Sequence, residues 1–181
     1  MNKLVKKILV GVMAATMALG SVTTAFAATS NTTGAKPVTK EDVKATNGTT
    51  VSTSKKGVAS LNAVKKTSAK SVTVSSKVKV GNVTYTVTRI EANAFKNASK
   101  ATKITLPSTI NALSANAFSG AKSLKTIVIK SKKTVKVNHD AFKGLDTKKM
   151  TIQVKGMSKS ALSSFKKALK RAGFKGTVKV A

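Results

Sequence analysis

Alternating apolar and polar positions begin near residue 72 and are interrupted once by a two-residue break. The apolar positions are Val72, Val74, Val78 and Val80 before the break at Gly81-Asn82, and Val83, Tyr85 and Val87 after it. Period-two alternation is typical of β-strands, and glycine accepts the positive φ of a two-residue hairpin turn. The pattern therefore predicts a β-hairpin over residues 71–89, placed as an N-terminal cap.

Beyond the hairpin, the pair Ala-Phe recurs three times at a nearly constant interval. Its phenylalanines are Phe95, Phe118 and Phe142, which lie 23 and 24 residues apart. An apolar residue stands four positions before each pair (Ile90, Leu113, Val137), and Asn or Asp stands directly before it (Asn93, Asn116, Asp140). A strand-like apolar pair also recurs, as Ile104 and Leu106, Ile127 and Ile129, and Ile152 and Val154. A period in the low twenties with one short strand per unit is typical of a leucine-rich-repeat solenoid.

The residue types of each unit fit the interior of such a solenoid. The apolar pair of each strand faces inward, and stacked strands form a parallel sheet. We expect the phenylalanines to stack as a ladder on the opposite wall, each beside an alanine that lets neighbouring coils approach. The Asn or Asp side chain is expected to accept backbone N–H hydrogen bonds and so fix the turn. The fold class is thus an α/β-type repeat, with two to three coils of about 23 residues over residues 90–155.

The repeat unit resembles a known family. Units of the form I-x-x-x-A-F-x-x-x-x-x-L-x-x-I-x-I-P are similar to the BspA-like, or Treponema-type, leucine-rich repeats of bacterial surface proteins, in the short basic form of gut clostridia. The matching residues are Ile90, Ala94-Phe95, Ile104-Thr105-Leu106-Pro107, Leu113, Ala117-Phe118, Leu124 and Ile127-Val128-Ile129. The resemblance covers about residues 72–180. It implies an exported surface protein that binds proteins or glycans without catalysis, and it assigns no binding residue because the family has no fixed binding motif.

The C-terminal stretch, residues 156–181, predicts a helix followed by a short strand. Ser158 or Ser160 can cap the helix, and Gly173 can end it. The apolar stripe at helical spacing is Leu162, Phe165, Leu169 and Ala172. A basic amphipathic helix can lie on an acidic membrane, but a terminal repeat must also cover the open end of a solenoid. We favour the second role, a C-terminal cap.

The first 27 residues have the three parts of a secretory signal. These parts are Lys3, Lys6 and Lys7, an apolar run over residues 8–19, and Ala25-Phe26-Ala27 at the cleavage site. The apolar run is shorter than the roughly 20 residues that a spanning helix needs. We therefore expect cleavage before Ala28 and no transmembrane segment in the mature chain.

Residues 28–70 differ in composition from the rest of the chain. They are rich in Thr, Ser, Ala, Lys and Gly and show no sustained periodicity. Such a segment buries too little apolar area to offset its ordering entropy. It is predicted to be a flexible linker before a repeat domain at residues 71–181.

The charge of the chain points to anionic partners. The sequence has 34 basic and 5 acidic residues, a formal net charge of +29, of which the signal would remove three. Such an imbalance attracts polyanions, and salt weakens the attraction. We expect anionic cell-wall or matrix polymers as partners, together with host or bacterial surface proteins, and only non-specific binding of nucleic acid. Candidate polyanion contacts are Lys132, Lys133, Lys136, Lys166, Lys167, Lys170 and Arg171.

Catalytic chemistry is not expected of this chain. It has one histidine, no cysteine and few carboxylates, whereas acid–base catalysis or a metal site needs several convergent groups. His139 beside Asp140 is the one suggestive pair, but neighbours in sequence generally point apart. We interpret His139 as an exposed turn residue and expect no catalytic residue, metal ligand or cofactor.

The expected binding face is the outer side of the repeat sheet, which solenoids commonly use for partners. Its candidate residues are Lys103, Thr105, Thr126, Val128, Lys130, Thr151, Gln153 and Lys155. The sequence thus indicates an exported, non-enzymatic binding protein with adhesion-like character, held peripherally at the cell surface by its charge. Two alternatives stay open: a cationic membrane-active protein acting through the C-terminal helix, and an extracellular DNA or matrix binder.

Overall fold

The computed structural model describes residues 35–181, which contain twelve β-strands and one α-helix. The strands are β1 (Lys40–Lys44), β2 (Thr50–Thr53), β3 (Val58–Ala63), β4 (Ser71–Thr73), β5 (Lys77–Val80), β6 (Val83–Ile90), β7 (Lys103–Leu106), β8 (Ala112–Leu113), β9 (Thr126–Lys130), β10 (Lys136–Val137), β11 (Thr151–Lys155) and β12 (Thr177–Val180), and the helix is α1 (Lys159–Arg171). The predicted signal peptide, residues 1–27, and the first residues of the predicted linker lie outside the described residues.

Five strands, each from a successive coil of the chain, form one parallel sheet. Their order is β4, β7, β9, β11 and β12. Strand pairing aligns Ile104 with Ile127, and Ile127 with Ile152. Side chains alternate between the two faces of a strand, and all three isoleucines are at most 1% exposed. The predicted solenoid with inward-facing apolar pairs is confirmed.

The second sheet has seven strands and includes the predicted hairpin. Strands β3, β6, β8 and β10 run parallel, and β1 and β2 extend the sheet in antiparallel pairing beyond β3. The hairpin consists of β5 and β6, with Val80 paired to Val83 across Gly81, whose φ is +58°. Residues 71–73 do not belong to it. They form β4 in the parallel sheet, because Val72 aligns with Ile104 of the next coil.

The Ala-Phe pairs form the predicted ladder in the core. The ring centroids of Phe95 and Phe118 are 5.3 Å apart, and those of Phe118 and Phe142 are 5.4 Å apart, with interplanar angles of 5° and 2°. Phe174 extends the row with a ring tilted by 53°, centred 5.1 Å from that of Phe142. The alanines at 94, 117 and 141 are fully buried. The small side chain of each alanine therefore lets neighbouring coils pack closely beside the stacked rings.

The residue before each Ala-Phe pair adopts the left-handed backbone conformation. The φ angles of Asn93, Asn116 and Asp140 are +58°, +56° and +59°, a region that Asn and Asp enter more readily than other non-glycine residues. Main-chain groups close the turn, as where the Lys96 N–H donates to the Asn93 carbonyl at 3.0 Å. The expectation that the Asn or Asp side chains fix these turns by accepting backbone N–H hydrogen bonds is wrong. Across residues 35–181 no backbone N–H donates to these three side chains, and the backbone conformation explains the residue choice.

The linker prediction for residues 28–70 is wrong in its described part. Strands β1, β2 and β3 occupy most of residues 40–63, and Val51, Leu61 and Val64 are at most 6% exposed. The hydroxyl of Tyr85 accepts a hydrogen bond from the Val38 N–H at 2.9 Å and so holds the start of this segment. The apolar residues here are few, and they are buried because β3 pairs with β6 far along the chain.

The solenoid is also longer than two to three coils over residues 90–155. Strands β4 and β12 add a coil strand at each end, with Val72 aligned to Ile104 and Val178 aligned to Ile152. The third predicted unit contains a 3₁₀ turn at Thr147–Lys149, between Phe142 and strand β11. Neither terminal strand is preceded by an Ala-Phe pair, so the repeat pattern did not mark them as coil strands. Strand β12 nevertheless confirms the short strand that was predicted after the C-terminal helix.

The C-terminal cap forms as the helical pattern predicts. Helix α1 begins after Ser158, whose Oγ accepts a hydrogen bond from the Ala161 N–H at 3.2 Å. It ends before Gly173, where φ is +77°. Phe165 and Leu169 are at most 1% exposed. The apolar stripe of the helix therefore faces the core.

Candidate binding surfaces

The outer face of the parallel sheet carries the predicted binding-face residues in register. Three rows run across the strands: Lys103, Thr126 and Thr151; Thr105, Val128 and Gln153; and Lys130 with Lys155. Adjacent strands lie about 4.8 Å apart, so members of a row are direct neighbours. The end strands lengthen the first two rows with Ser71, Thr73, Thr177 and Lys179, which the sequence patterns did not reveal.

Access to this face is uneven. Lys103, Lys130 and Lys155 are exposed, and the threonines and Gln153 are half-buried. Val128 is only 4% exposed, so the expectation that it offers a contact surface is wrong. It lies on the middle strand of the sheet, between Thr105 and Gln153 of the adjacent strands. The accessible part of the face is therefore a hydroxyl-bearing and cationic strip.

The predicted polyanion contacts lie on two adjoining elements. Three exposed lysines, Lys132, Lys133 and Lys136, belong to the segment from β9 to β10, and Lys166, Lys167, Lys170 and Arg171 are exposed on α1. The Thr134 hydroxyl donates to the Ala161 carbonyl at 3.2 Å, and α1 packs against β10. The two groups of cations thus belong to one positively charged region near the C-terminal end of the solenoid.

A second basic region was missed by the sequence patterns. It includes a hollow of 500 Å³ lined by Lys66, Thr67, Ser68, Lys96, Asn97, Ser99 and Lys100. An adjoining hollow of 330 Å³ is lined by Lys44, Gly48, Thr50, Val64, Lys65, Lys66 and Asn97. We call the two hollows together the lysine groove. Three of its lysines come from the segment expected to be a linker, and only the tertiary fold places them beside Lys96 and Lys100.

His139 and Asp140 are closer than their sequence relation suggested. The Nδ1 of His139 lies 3.0 Å from the Oδ2 of Asp140, and the His139 side chain is 78% exposed. The interpretation of His139 as an exposed turn residue is confirmed, but the expectation that the two side chains point apart is wrong. In the described range 35–181, no group of three or more His, Cys, Asp or Glu residues could hold a metal ion.

Helix α1 bears on the membrane-active alternative. Its stripe of Phe165, Leu169 and Ala172 is buried in the core, and Leu162 is half-buried. These are the side chains that would have to enter a bilayer. Among residues 35–181, no helix has the length and apolar character needed to cross a membrane.

Comparison with known proteins adds a family match. Residues 65–180 match the family model described as BspA type leucine rich repeat region, in 6 copies. Among solved structures, a leucine-rich cell surface protein from Faecalibacterium prausnitzii is similar over 81% of this chain and 43% of its own, with 16% identity and a TM-score of 0.48. A leucine-rich repeat protein from Bacteroides capillosus is similar over 81% of this chain and 99% of its own, with 14% identity and a TM-score of 0.46. This chain thus spans less than half of the Faecalibacterium protein. No curated protein matches it significantly.

Proposed function

The chain belongs to the BspA-type leucine-rich repeat proteins, and from that membership we propose that it is an exported, non-enzymatic surface protein that attaches to anionic polymers of the envelope or matrix through its lysines. The attachment is peripheral and electrostatic. Family membership supports the surface role, and the positive charge of the exposed side chains supports binding to polyanions. The predicted secretory signal supports export.

The observation that carries this proposal is that the cationic side chains are exposed and mostly without a carboxylate partner in the described part of the chain. Of the 34 basic residues, three lie in the predicted signal, and all of the other 31 are exposed. In the described part of the chain, ion pairs to carboxylates involve only Arg89, Lys149 and His139. Nearly every positive charge is therefore free to contact an external anion.

Such a surface favours long polyanions over small anions. Individual exposed ion pairs are weak, typically about 0.2–1 kcal/mol each, so useful affinity needs many contacts at once. A polymer with one charge per unit supplies them. The screening length falls from about 10 Å at 0.1 M salt to about 3 Å at 1 M. The attachment should therefore be strong at low salt and reversible at high salt.

Co-sedimentation with purified cell walls tests the proposal. The mature chain, residues 28–181, is mixed with walls before and after removal of their anionic polymers, across a salt series. We expect binding that is lost on stripping and at high salt. A mature chain that stays in the supernatant at low salt would refute the proposal, and duplex DNA that competes as well as wall polymers would favour the extracellular DNA role.

The sheet face offers a second candidate contact, with another protein. Its rows of threonines and lysines run in register across five strands, which gives a continuous polar strip. Binding through this strip would depend on shape and hydrogen bonds and would resist salt. A Thr105→Gln and Thr151→Gln double variant changes the shape of the strip without changing its charge. It should abolish any salt-resistant binding and leave the salt-sensitive binding unchanged. Loss of both together would reject a separate role for the face.

A membrane-active role would require α1 to leave the solenoid, because its apolar stripe is part of the core. We expect no dye leakage from acidic vesicles at protein concentrations that saturate cell walls. Leakage by the folded mature chain would overturn this expectation and favour the cationic membrane-active alternative.

A further inference from the structure

We propose that the lysine groove is a binding site for the phosphate groups of a linear anionic polymer. This inference rests on the proposed attachment to polyanions and gives that attachment a defined place. It concerns the first two coils of the solenoid, far along the chain from the cations that the sequence suggested.

The main hollow of the groove is lined by cationic and polar residues. It lies between residues 66–68 of one coil and residues 96–100 of the next, and its lining consists of Lys, Ser, Thr and Asn side chains. Lys66, Lys96 and Lys100 are exposed. Ser68 and Ser99 add hydroxyl groups that can donate to an anion. The lining includes no carboxylate to repel an anion.

The walls of this hollow are fixed by hydrogen bonds between the two coils. The Thr67 N–H donates to the Asn97 carbonyl at 3.1 Å. The side-chain Nδ2 of Asn97 donates to the Val64 carbonyl at 3.0 Å. Within the first of the two coils, the Ala69 N–H donates to the Thr67 hydroxyl oxygen at 3.0 Å. The main chain that carries the lysines is thus held before a ligand arrives. A fixed site loses less entropy on binding than a mobile loop does.

The second hollow extends the site beyond the size of one ion. It shares Lys66 and Asn97 with the first and adds Lys44 and Lys65, so that five lysines surround the groove. None of the five takes part in an ion pair within residues 35–181. Volumes of 500 Å³ and 330 Å³ side by side exceed what a single phosphate group fills. A chain with repeated phosphates can occupy both hollows.

The donors of the groove suit phosphate. Lysine binds phosphate as a point charge with three donors, without the planar fork of arginine. The groove offers five lysines together with the hydroxyl groups of Ser68 and Ser99. Five point charges with hydroxyl donors suit tetrahedral phosphate groups, which can be approached from several directions. The expected ligand is a polymer with phosphate in its backbone.

Binding of linear polyphosphate to the mature chain tests the proposal. The groove variant carries Lys66→Gln, Lys96→Gln and Lys100→Gln. The matched control carries Lys55→Gln, Lys56→Gln and Lys77→Gln, which removes the same charge from exposed positions outside both basic regions. Both sets leave the core untouched, and equal melting temperatures would verify the fold. Titration of labelled polyphosphate at several salt concentrations gives the affinities, and poly-glutamate serves as a carboxylate competitor.

We expect the groove variant to bind polyphosphate about 10- to 100-fold more weakly, since each lost contact contributes what an exposed charge pair does. Its log–log salt slope should fall by about 2, and the control should weaken by less than about threefold. Equal weakening of both variants would overturn the inference and leave the proposed function intact. Equal competition by poly-glutamate would overturn the phosphate assignment. A wild-type chain that binds neither polyphosphate nor cell walls would refute the inference and the proposed function together.

Discussion

Replacing Phe118 by alanine should remove the central rung of the phenylalanine ladder. Phe118 is fully buried and stacks on both sides, at 5.3 Å and 5.4 Å. Truncation of a buried phenylalanine to alanine typically costs about 3–5 kcal/mol. Loss of two stacked neighbours, at about 0.5–1.5 kcal/mol each, places this site in the upper half of that range. A domain of this size has a total stability of about 5–15 kcal/mol, so Phe118→Ala should remove between about a third and nearly all of it.

Urea unfolding of the mature chain, followed by far-UV circular dichroism, measures the effect. Phe118→Leu keeps most of the volume and loses the stacking, so we expect a cost of about 1–3 kcal/mol. Phe174→Ala is the positional control, because its ring is tilted, 7% exposed and stacked on one side only. We expect it to cost about 3 kcal/mol at most. If Phe118→Ala lowers the free energy of unfolding no more than Phe174→Ala does, the central position of the ladder contributes no more to stability than its end, and the reasoning is refuted.

Four further predictions concern the packing of coils and termini. Gly120→Ala should lower the free energy of unfolding in urea by about 2 kcal/mol more than Gly144→Ala does. Both glycines have positive φ, but only at Gly120 would the new methyl group lie 2.7 Å from a main-chain atom of the preceding coil, the Cα of Lys96. Equal costs would contradict this close approach. Tyr85→Phe should lower the stability measured in thermal or urea unfolding by about 1 kcal/mol, because it removes the hydroxyl's hydrogen bond to the N-terminal segment. Deletion of residues 35–63 should abolish cooperative unfolding. An unchanged unfolding transition after the deletion would restore the linker interpretation. Phe165→Ala should lower stability by about 3–5 kcal/mol, and an unaltered melting curve would show that α1 does not cap the core.

The regular middle of the fold could be predicted because its pattern is local. Each unit repeats the apolar pair of its strand and its Ala-Phe pair within 23 or 24 residues. Stacked coils bury identical positions, so the same residue types recur and the period becomes visible. The C-terminal helix was predictable for a similar reason, since Phe165 and Leu169 are spaced to lie on one face of a helix.

The N-terminal part of the solenoid could not be predicted in the same way. Strands β1 to β3 contain small or polar residues such as Ala59, Ser60 and Thr53, which give a weak period-two signal. Their burial depends on pairing between β3 and β6, whose partners are separated by more than twenty residues, as for Leu61 and Ile90. A local window contains no information on that pairing. It was therefore missed, and the segment was interpreted as a linker.

Of the candidate surfaces, the sheet face could be predicted from the sequence and the lysine groove could not. The rows on the sheet face follow from the repeat, and strand pairing confirms the alignment of Lys130 with Lys155. Burial of Val128 within that face was not predictable, because it depends on the side chains of neighbouring strands. The lysine groove likewise joins Lys44 and Lys66 to Lys100, residues whose separation along the chain shows no common pattern.

The sequence by itself determined the repeat, the inward-facing residues of its middle coils, the helical cap and the excess of positive charge. These features follow from periodicity and composition, which can be recognised within short stretches of the chain. The tertiary structure alone decided how many coils the solenoid has, that residues 40–63 fold onto it, and which lysines gather into a groove. Those outcomes depend on contacts between distant segments, whose free energy comes from surfaces that meet only when the chain is folded.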